Sequence, residues 1–528
     1  DLYLNPANET MVAEKVRACM PGVSVLASHE ISREWREYER TSTVVLSAYV
    51  HPIADRYIGK LQGGLAEKGF TAKPYIMQSN GGIATVDAIR RNPITMVESG
   101  PASGIFAAAY LGKLIGEPNL IVLDIGGTTA KCTLIEGGEV KVGTEYHIER
   151  DRTHPGYPIQ TPVSEIVEIG NGGGSIAWVD AGGKLHVGPQ SAGARPGPAA
   201  YGRGGTKPTT TDANLLLGRI DPDCFVGGER EPDWTAVHAA FDPVAGQLGI
   251  GRQDLARGII RIANANMTNA LRLVSTNRGH DPRDYALMAF GGGGAMHAVA
   301  LAEELGVPRV IVPVNSSVFS SWGMLLTDLR RDYLQTALTP LSADAGPVVA
   351  ARFAEMRERA VADFATDGVD AVEPTFEYLA DMRYAGQEHT VKVALVPAAD
   401  GGFDLAAAAD GFHAAHEKRF TYRLDNAIQL VNFHLVARIP VPKPDLPEKP
   451  VTGADVAATR IGTRRVDFDQ HGNHDAAIHD GLALEPGMEV AGPAIVQEPS
   501  VTLVVPPGAL VTIDRLGNYH VHLRRKEA

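Results

Sequence analysis

A double-glycine turn between two strand-like runs constrains this chain more than any other feature. Leu120-Ile121-Val122-Leu123-Asp124-Ile125 is an apolar run of strand length that carries a carboxylate near its end, and Gly126-Gly127-Thr128-Thr129 follows it. Beyond the turn, Ala130, Cys132 and Leu134 alternate with Lys131, Thr133 and Ile135, a period nearer two than 3.6. Glu136-Gly137-Gly138-Glu139 then supplies a second hairpin turn. A dinucleotide-binding or P-loop unit enters a helix directly after its glycines, so the period argues against both. The residues predict strand, glycine turn, strand, turn, strand.

Such a turn has a chemistry. Consecutive backbone N–H groups without side chains form a concave anion site that phosphate oxygens can approach closely. Gly126 and Gly127 supply that backbone, and Thr128 and Thr129 add hydroxyl donors. Asp124 is placed to hold Mg²⁺ through water or to orient an attacking group. The plain alternative is a structural hairpin capped by an aspartate. A second run, Phe290-Gly291-Gly292-Gly293-Gly294-Ala295-Met296-His297, lies after a predicted strand and before a predicted helix, whose N-terminus can meet phosphate or ribose oxygens. His297 is a candidate ligand contact, with packing in the first helical turn as the alternative. The glycine-turn pattern is that of the phosphate hairpin of the actin-like ATPase (ribonuclease H-like) core. An α/β fold with such a core is therefore expected.

Composition narrows the function classes. The 528 residues exceed one ordinary core and suggest about two to four domains. A formal net charge of −13 argues against a non-specific nucleic-acid binder, which needs a basic face. Cys19, Cys132 and Cys224 lie too far apart for a metal knuckle or a disulfide framework, which predicts a reducing, cytoplasmic setting. No apolar run approaches the roughly 20 residues of a membrane span. The chain opens at Asp1 in Asp-Leu-Tyr-Leu-Asn-Pro, which reads like the end of a strand. A preceding segment is expected.

Along the chain, residues 11–19 read as a helix and 23–27 as a strand. A helical stretch over 33–68 is expected to break near Pro52. A strand at 75–78, a helix over 101–115, an amphipathic helix over 253–277 and a βαβ unit over 285–313 complete the larger elements. Four domains are expected: residues 1–95 as the remainder of a first, incomplete actin-like lobe, and 96–334 as a second, nucleotide-binding lobe with a Gly/Pro-rich insertion. Residues 335–440 would form a mixed α/β appendage. After a stretch holding five prolines between Pro440 and Pro450, residues 441–528 would form a β-rich domain.

Taken together the motifs resemble the hydantoinase A / 5-oxoprolinase family, which includes the nucleotide-binding subunits of acetone and acetophenone carboxylases. The match is carried by Glu37-Tyr38-Glu39-Arg40-Thr41-Ser42-Thr43, Met77-Gln78-Ser79-Asn80-Gly81-Gly82, Glu98-Ser99-Gly100-Pro101-Ala102-Ser103-Gly104 and residues 124–131. It continues through Gly172-Gly173-Gly174-Ser175-Ile176-Ala177-Trp178-Val179-Asp180, Gly188-Pro189-Gln190-Ser191-Ala192-Gly193, Pro196-Gly197-Pro198-Ala199, residues 209–214 and residues 291–297. Family members usually begin with another Asp-x-Gly-Gly-Thr turn well upstream, and Lys131 stands where many carry Asp. The resemblance implies ATP and Mg²⁺ as cofactors, with Asp124 as the catalytic and metal-binding residue. It implies nucleotide contacts at Gly126, Gly127, Thr128, Thr129, Lys131, Gly291, Gly292, Gly293, Gly294 and His297.

The implied activity is ATP-dependent opening of a cyclic amide (a hydantoin, 5-oxoproline or another lactam) by phosphorylation of its carbonyl oxygen. A hydantoinase B-like partner would complete the reaction in a hetero-oligomer. One alternative is a ketone carboxylase subunit; another is a non-catalytic assembly protein that keeps the fold. Neither nucleic acid nor membrane is an expected partner. Three further clusters carry two readings each. The charged run at 37–42 is a cleft wall or a solvated face, and the loops at 172–175 and 191–195 bind ligand or merely turn. Arg383, within Asp381-Met382-Arg383-Tyr384-Ala385-Gly386-Gln387, fixes a domain or subunit contact or does chemistry, and Lys131 by itself contacts phosphate or is a solvated strand lysine.

Overall fold

The apolar run at 120–125 sorts its side chains onto two faces, and both are buried. Ile121, Leu123 and Ile125 join one core cluster, whereas Leu120 and Val122 join another. Burial on both faces explains why the run lacks polar alternation. The computed structural model describes residues 2–144, 146–150, 153–369, 371–399 and 401–523. Asp1, on which the expectation of a preceding segment rests, and residues 524–528 of the expected β-rich domain lie outside them.

The fold is mixed α/β and divides into two units. One comprises residues 1–102, 142–164 and 327–443; the other comprises 103–141, 165–326 and 444–528. Among the described residues the second unit carries a nine-stranded sheet. The Leu120–Ile125 strand lies inside it, antiparallel to Ala130–Glu136 with Asp124 opposite Lys131. On its other side it is parallel to Ala286–Phe290, with Asp124 in register with Phe290. The Gly294–Leu305 helix returns the chain to a parallel strand at Arg309–Val312, as the βαβ expectation requires. Tyr519–His522 and Leu510–Ile513 extend the sheet antiparallel. The Arg252–Val274 helix covers one face, burying Leu255, Ile259, Ala263, Met267, Leu271 and Val274. Apolar residues at this spacing form one stripe.

The first unit is built on a six-stranded sheet whose long strands, Leu329–Pro340 and Ile428–Ile439, pair antiparallel. The Gly346–Thr366 helix places Val349, Phe353, Met356, Ala360 and Phe364 in its core. Two elements differ from the sequence reading. Residues 23–27 form no strand, because no neighbouring segment pairs with them. The Glu37–Glu67 helix runs through Pro52 without a break. Proline removes one N–H from the ladder, yet here it lies on the exposed face, where water can take the freed carbonyl. Among the described residues no helix is long and apolar enough to cross a membrane.

Candidate functional site

Three glycine loops meet around Asp124, all within the second unit. The first is the predicted turn. Gly126 donates its N–H to Thr129 O at 3.0 Å, which closes the hairpin. The second loop lies on the first: Gly173 N–H donates to Gly126 O at 3.1 Å and Gly174 N–H to Gly127 O at 2.6 Å. A Cβ on Gly172 would come within 2.6 Å of Gly126 O, so only glycine permits this approach. The third loop is held by Gly291 N–H on Ser316 O and Gly293 N–H on Ile125 O, both at 2.9 Å. Gly291 has φ +80°, and a Cβ there would stand 2.4 Å from Asp124 Oδ1.

These bonds use up some donors and spare others. Among the described residues the N–H groups of Gly127, Thr128 and Gly292 have no protein acceptor. Gly127 and Gly292 also face open space, since a Cβ on either would meet nothing within 4 Å. Gly127, Thr128 and Gly292 are exposed, and unpaired N–H groups in a glycine loop of this kind can cradle an oxyanion. Ser191, from the 191–195 loop, sets its hydroxyl 3.5 Å from that of Thr128 at the rim. Asp124 is half-buried beside the cradle. Burial pushes its carboxyl above the ordinary aspartate range, and the Lys131 ammonium pulls it partly back.

The other predicted residues are placed as follows. The Lys131 ammonium bonds Thr129 Oγ1 at 2.7 Å and pairs with Glu168 at 2.8 Å. Glu168 lies opposite Lys131 in the antiparallel register, a partner that an isolated strand reading could not supply. Gly294 is buried at the start of its helix and donates to Gly291 O. His297 is buried, with Nδ1 2.7 Å from Asn264 Oδ1 of the Arg252–Val274 helix. Burial, with the Arg219 charge, pulls its pKa down to about 3. A neutral, enclosed imidazole of this kind packs the helix behind the loop. Asp124, Gly126, Gly127, Thr128, Gly291 and Gly293 are thus brought together, while the imidazole of His297 is turned into the core.

The motifs at 188–193, 196–199 and 209–214 also belong to the second unit, whereas those around Arg40, Asn80 and Arg383 belong to the first. Arg40 is buried, donating to Glu34 O at 3.2 Å. The Arg383 guanidinium stacks 5.3 Å from the Trp35 ring. Asn80 donates to Asp332 at 2.6 Å, and a Cβ on Gly82 would collide with Arg330 Cβ at 2.2 Å. Among the described residues no group of three or more His, Cys, Asp or Glu is assembled for a metal. Magnesium often takes only one or two protein carboxylates, with phosphate and water as its other ligands. Asp124 fits that role.

Comparison with known proteins places these features in a context. The family model described as Hydantoinase/oxoprolinase matches residues 40–333, and its C-terminal domain model matches residues 339–525. The caprolactamase subunit alpha of Pseudomonas jessenii is 35% identical over 98% of this chain and 74% of its own length. The acetophenone carboxylase gamma subunit of Aromatoleum aromaticum is 30% identical over 98% of this chain and 72% of its own. The crystal structure of the ATP-dependent caprolactamase from Pseudomonas jessenii superposes with a TM-score of 0.85 at 34% identity. It covers 98% of this chain and 75% of that one.

Proposed function

The chain belongs to the hydantoinase/oxoprolinase family, and on that premise we propose that it is the nucleotide-using subunit of an ATP-dependent cyclic-amide hydrolase. The observation that carries this reading is the cradle of unpaired N–H groups at Gly127, Thr128 and Gly292 beside Asp124. We assign the surrounding sheet to an actin-like ATPase core, with residues 96–334 as its nucleotide-binding lobe and 1–95 as the remainder of the other lobe. Residues 335–440 and 441–528 are assigned as the appendage and the β-rich part, the first contributing long strands to the first unit's sheet and the second adding its last strands to the other.

ATP, when bound, supplies the phosphoryl group that converts a lactam carbonyl oxygen into a leaving group. The chain's own residues hold and orient. Gly127, Thr128 and Gly292 direct N–H dipoles at phosphate oxygens, with the Thr128 hydroxyl at the rim. Asp124 is the residue to hold Mg²⁺, and the bonds that fix Gly126 and Gly291 keep its surroundings rigid. Lys131, tied to Glu168, sets the field at Asp124 and does not itself reach for phosphate. A hydantoinase B-like subunit would complete the hydrolysis, a reading supported by the subunit designation of the caprolactamase relative.

A second reading has its own support. The 30% identity to a carboxylase subunit admits phosphorylation of bicarbonate or of a ketone enolate. ADP release separates the two. With the native assembly, a panel of cyclic amides should accelerate release without added bicarbonate. Acceleration that needs bicarbonate and a ketone selects carboxylation, and no acceleration by either set contradicts both.

A further inference from the structure

A cleft of about 800 Å³ opens within the first unit, and its wall carries more guanidinium than the local carboxylates occupy. Arg17 pairs with Glu30 at 2.7 Å and Arg90 with Asp55 at 2.8 Å. Arg91 and Arg331 both close on Asp367, while Asp332 is taken by Arg330 and His434. Asp363 accepts from Tyr333 at 2.9 Å and stands 3.4 Å from Arg331, leaving Arg359 at 3.9 Å. Arg33 is left over. Its Nε is buried without a hydrogen-bond partner, and among the described residues no carboxylate forms an ion pair with it. Burial and the like charge of Arg359 both work against its protonated form, and the field of Glu355 offsets them only in part. Three more atoms of lining residues are buried without hydrogen-bond partners: His51 Nδ1, Asn92 Oδ1 and Arg90 Nε, the last although Asp55 stands in ion-pair distance.

Unmet groups of this kind are expensive in an empty protein and are met by a complementary ligand. We propose that this cleft binds a small molecule carrying a carboxylate at one end and an N–H or O–H donor elsewhere. Arg33 and Arg359 take the carboxylate, and Asn92 Oδ1 accepts from the donor. The planar guanidinium fork suits a carboxylate, and the volume suits a molecule of metabolite size. A dianionic phosphate fits less well, because Glu30, Glu34, Asp55, Asp332 and Asp363 line the same space. This site stands apart from the nucleotide reading, which rests on residues of the other unit.

N-acetylglycine has both groups and is the probe. N-acetylglycinamide removes its charge, and inorganic phosphate tests a simple anion. N-acetylglycine at millimolar concentration should raise the melting temperature of the native assembly and give a saturable calorimetric titration, whereas the amide and phosphate should not. Arg33→Met and Arg359→Met should each weaken binding by on the order of tenfold. Arg33→Met should also leave the ligand-free protein no less heat-stable, since it removes an unpaired buried charge; a structural arginine would behave oppositely. The proposal is overturned if the acid does not bind, or if the amide or phosphate binds as well as the acid. Undiminished affinity in Arg33→Met also overturns it, and Arg359→Met keeps the test open should Arg33→Met fail to fold.

Discussion

At Gly291 one methyl group is enough to test the site. Its φ of +80° disfavours any side chain, and an added Cβ would press on Asp124 Oδ1 at 2.4 Å. Gly291→Ala should destabilise the protein by about 1–3 kcal/mol and abolish nucleotide binding, read by thermal melting and calorimetry. Lys131 gives a prediction in pH. Its ammonium opposes the upward shift that burial imposes on Asp124, so Lys131→Met should raise that carboxyl further. If ionised Asp124 is needed for catalysis, the acid limb of kcat/KM moves to higher pH in the variant. An unmoved limb would remove Asp124 from the assignment. The sign for folding runs the other way. With its folded pKa above its unfolded value, Asp124 binds protons more readily in the native state, so its contribution to stability grows as pH falls through that window.

Among elements, the glycine hairpin was legible because its information is local: period two on both sides and glycines where the backbone must turn. The Glu37–Glu67 helix was misjudged at Pro52 because the rule for proline ignores which side of the helix faces water. Pro52→Ala should raise stability by up to about 3 kcal/mol, measured by denaturant unfolding. The strands at Leu329–Pro340 and Ile428–Ile439 hold a polar knot that no periodicity discloses. His434 Nε2 lies 2.6 Å from Asp332, while the Lys392 ammonium donates to His434 Nδ1 at 2.9 Å. Burial alone would raise the Asp332 carboxyl, but Arg330 and then His434 bring it well below the usual carboxylate range. Its stabilising contribution is therefore complete above the unfolded aspartate pKa and is lost as pH falls. Asp332→Asn strands the buried arginine and should cost about 3–5 kcal/mol, seen as a lower unfolding midpoint at neutral pH.

At the scale of the whole chain, each unit is assembled from three separated stretches of sequence. That threading decides what could be read beforehand. Asp124 and its glycines announce themselves within a few residues, and the 291–294 run does so as well. Glu168, Asn264 and Ser316 were missed, since each acts through a strand or helix neighbour distant in sequence. The arginine-lined cleft was invisible for the same reason, as Arg33, Asn92 and Arg359 share it only after folding. Family resemblance suggested the proposed reaction type, and the geometry adds which backbone donors remain free to meet a phosphate. Gly127 is the sharpest probe of that point, because it has negative φ and an added Cβ would meet no protein atom within 4 Å. Gly127→Ala should therefore fold normally while its methyl group crowds the oxyanion cradle. Titrating Mg·ATP into the native assembly and into this variant, with melting curves for both, tests the central claim. An unchanged melting temperature with affinity lowered on the order of tenfold or more is the predicted result. No binding by the unmodified protein, or equal affinity in the variant, would contradict it.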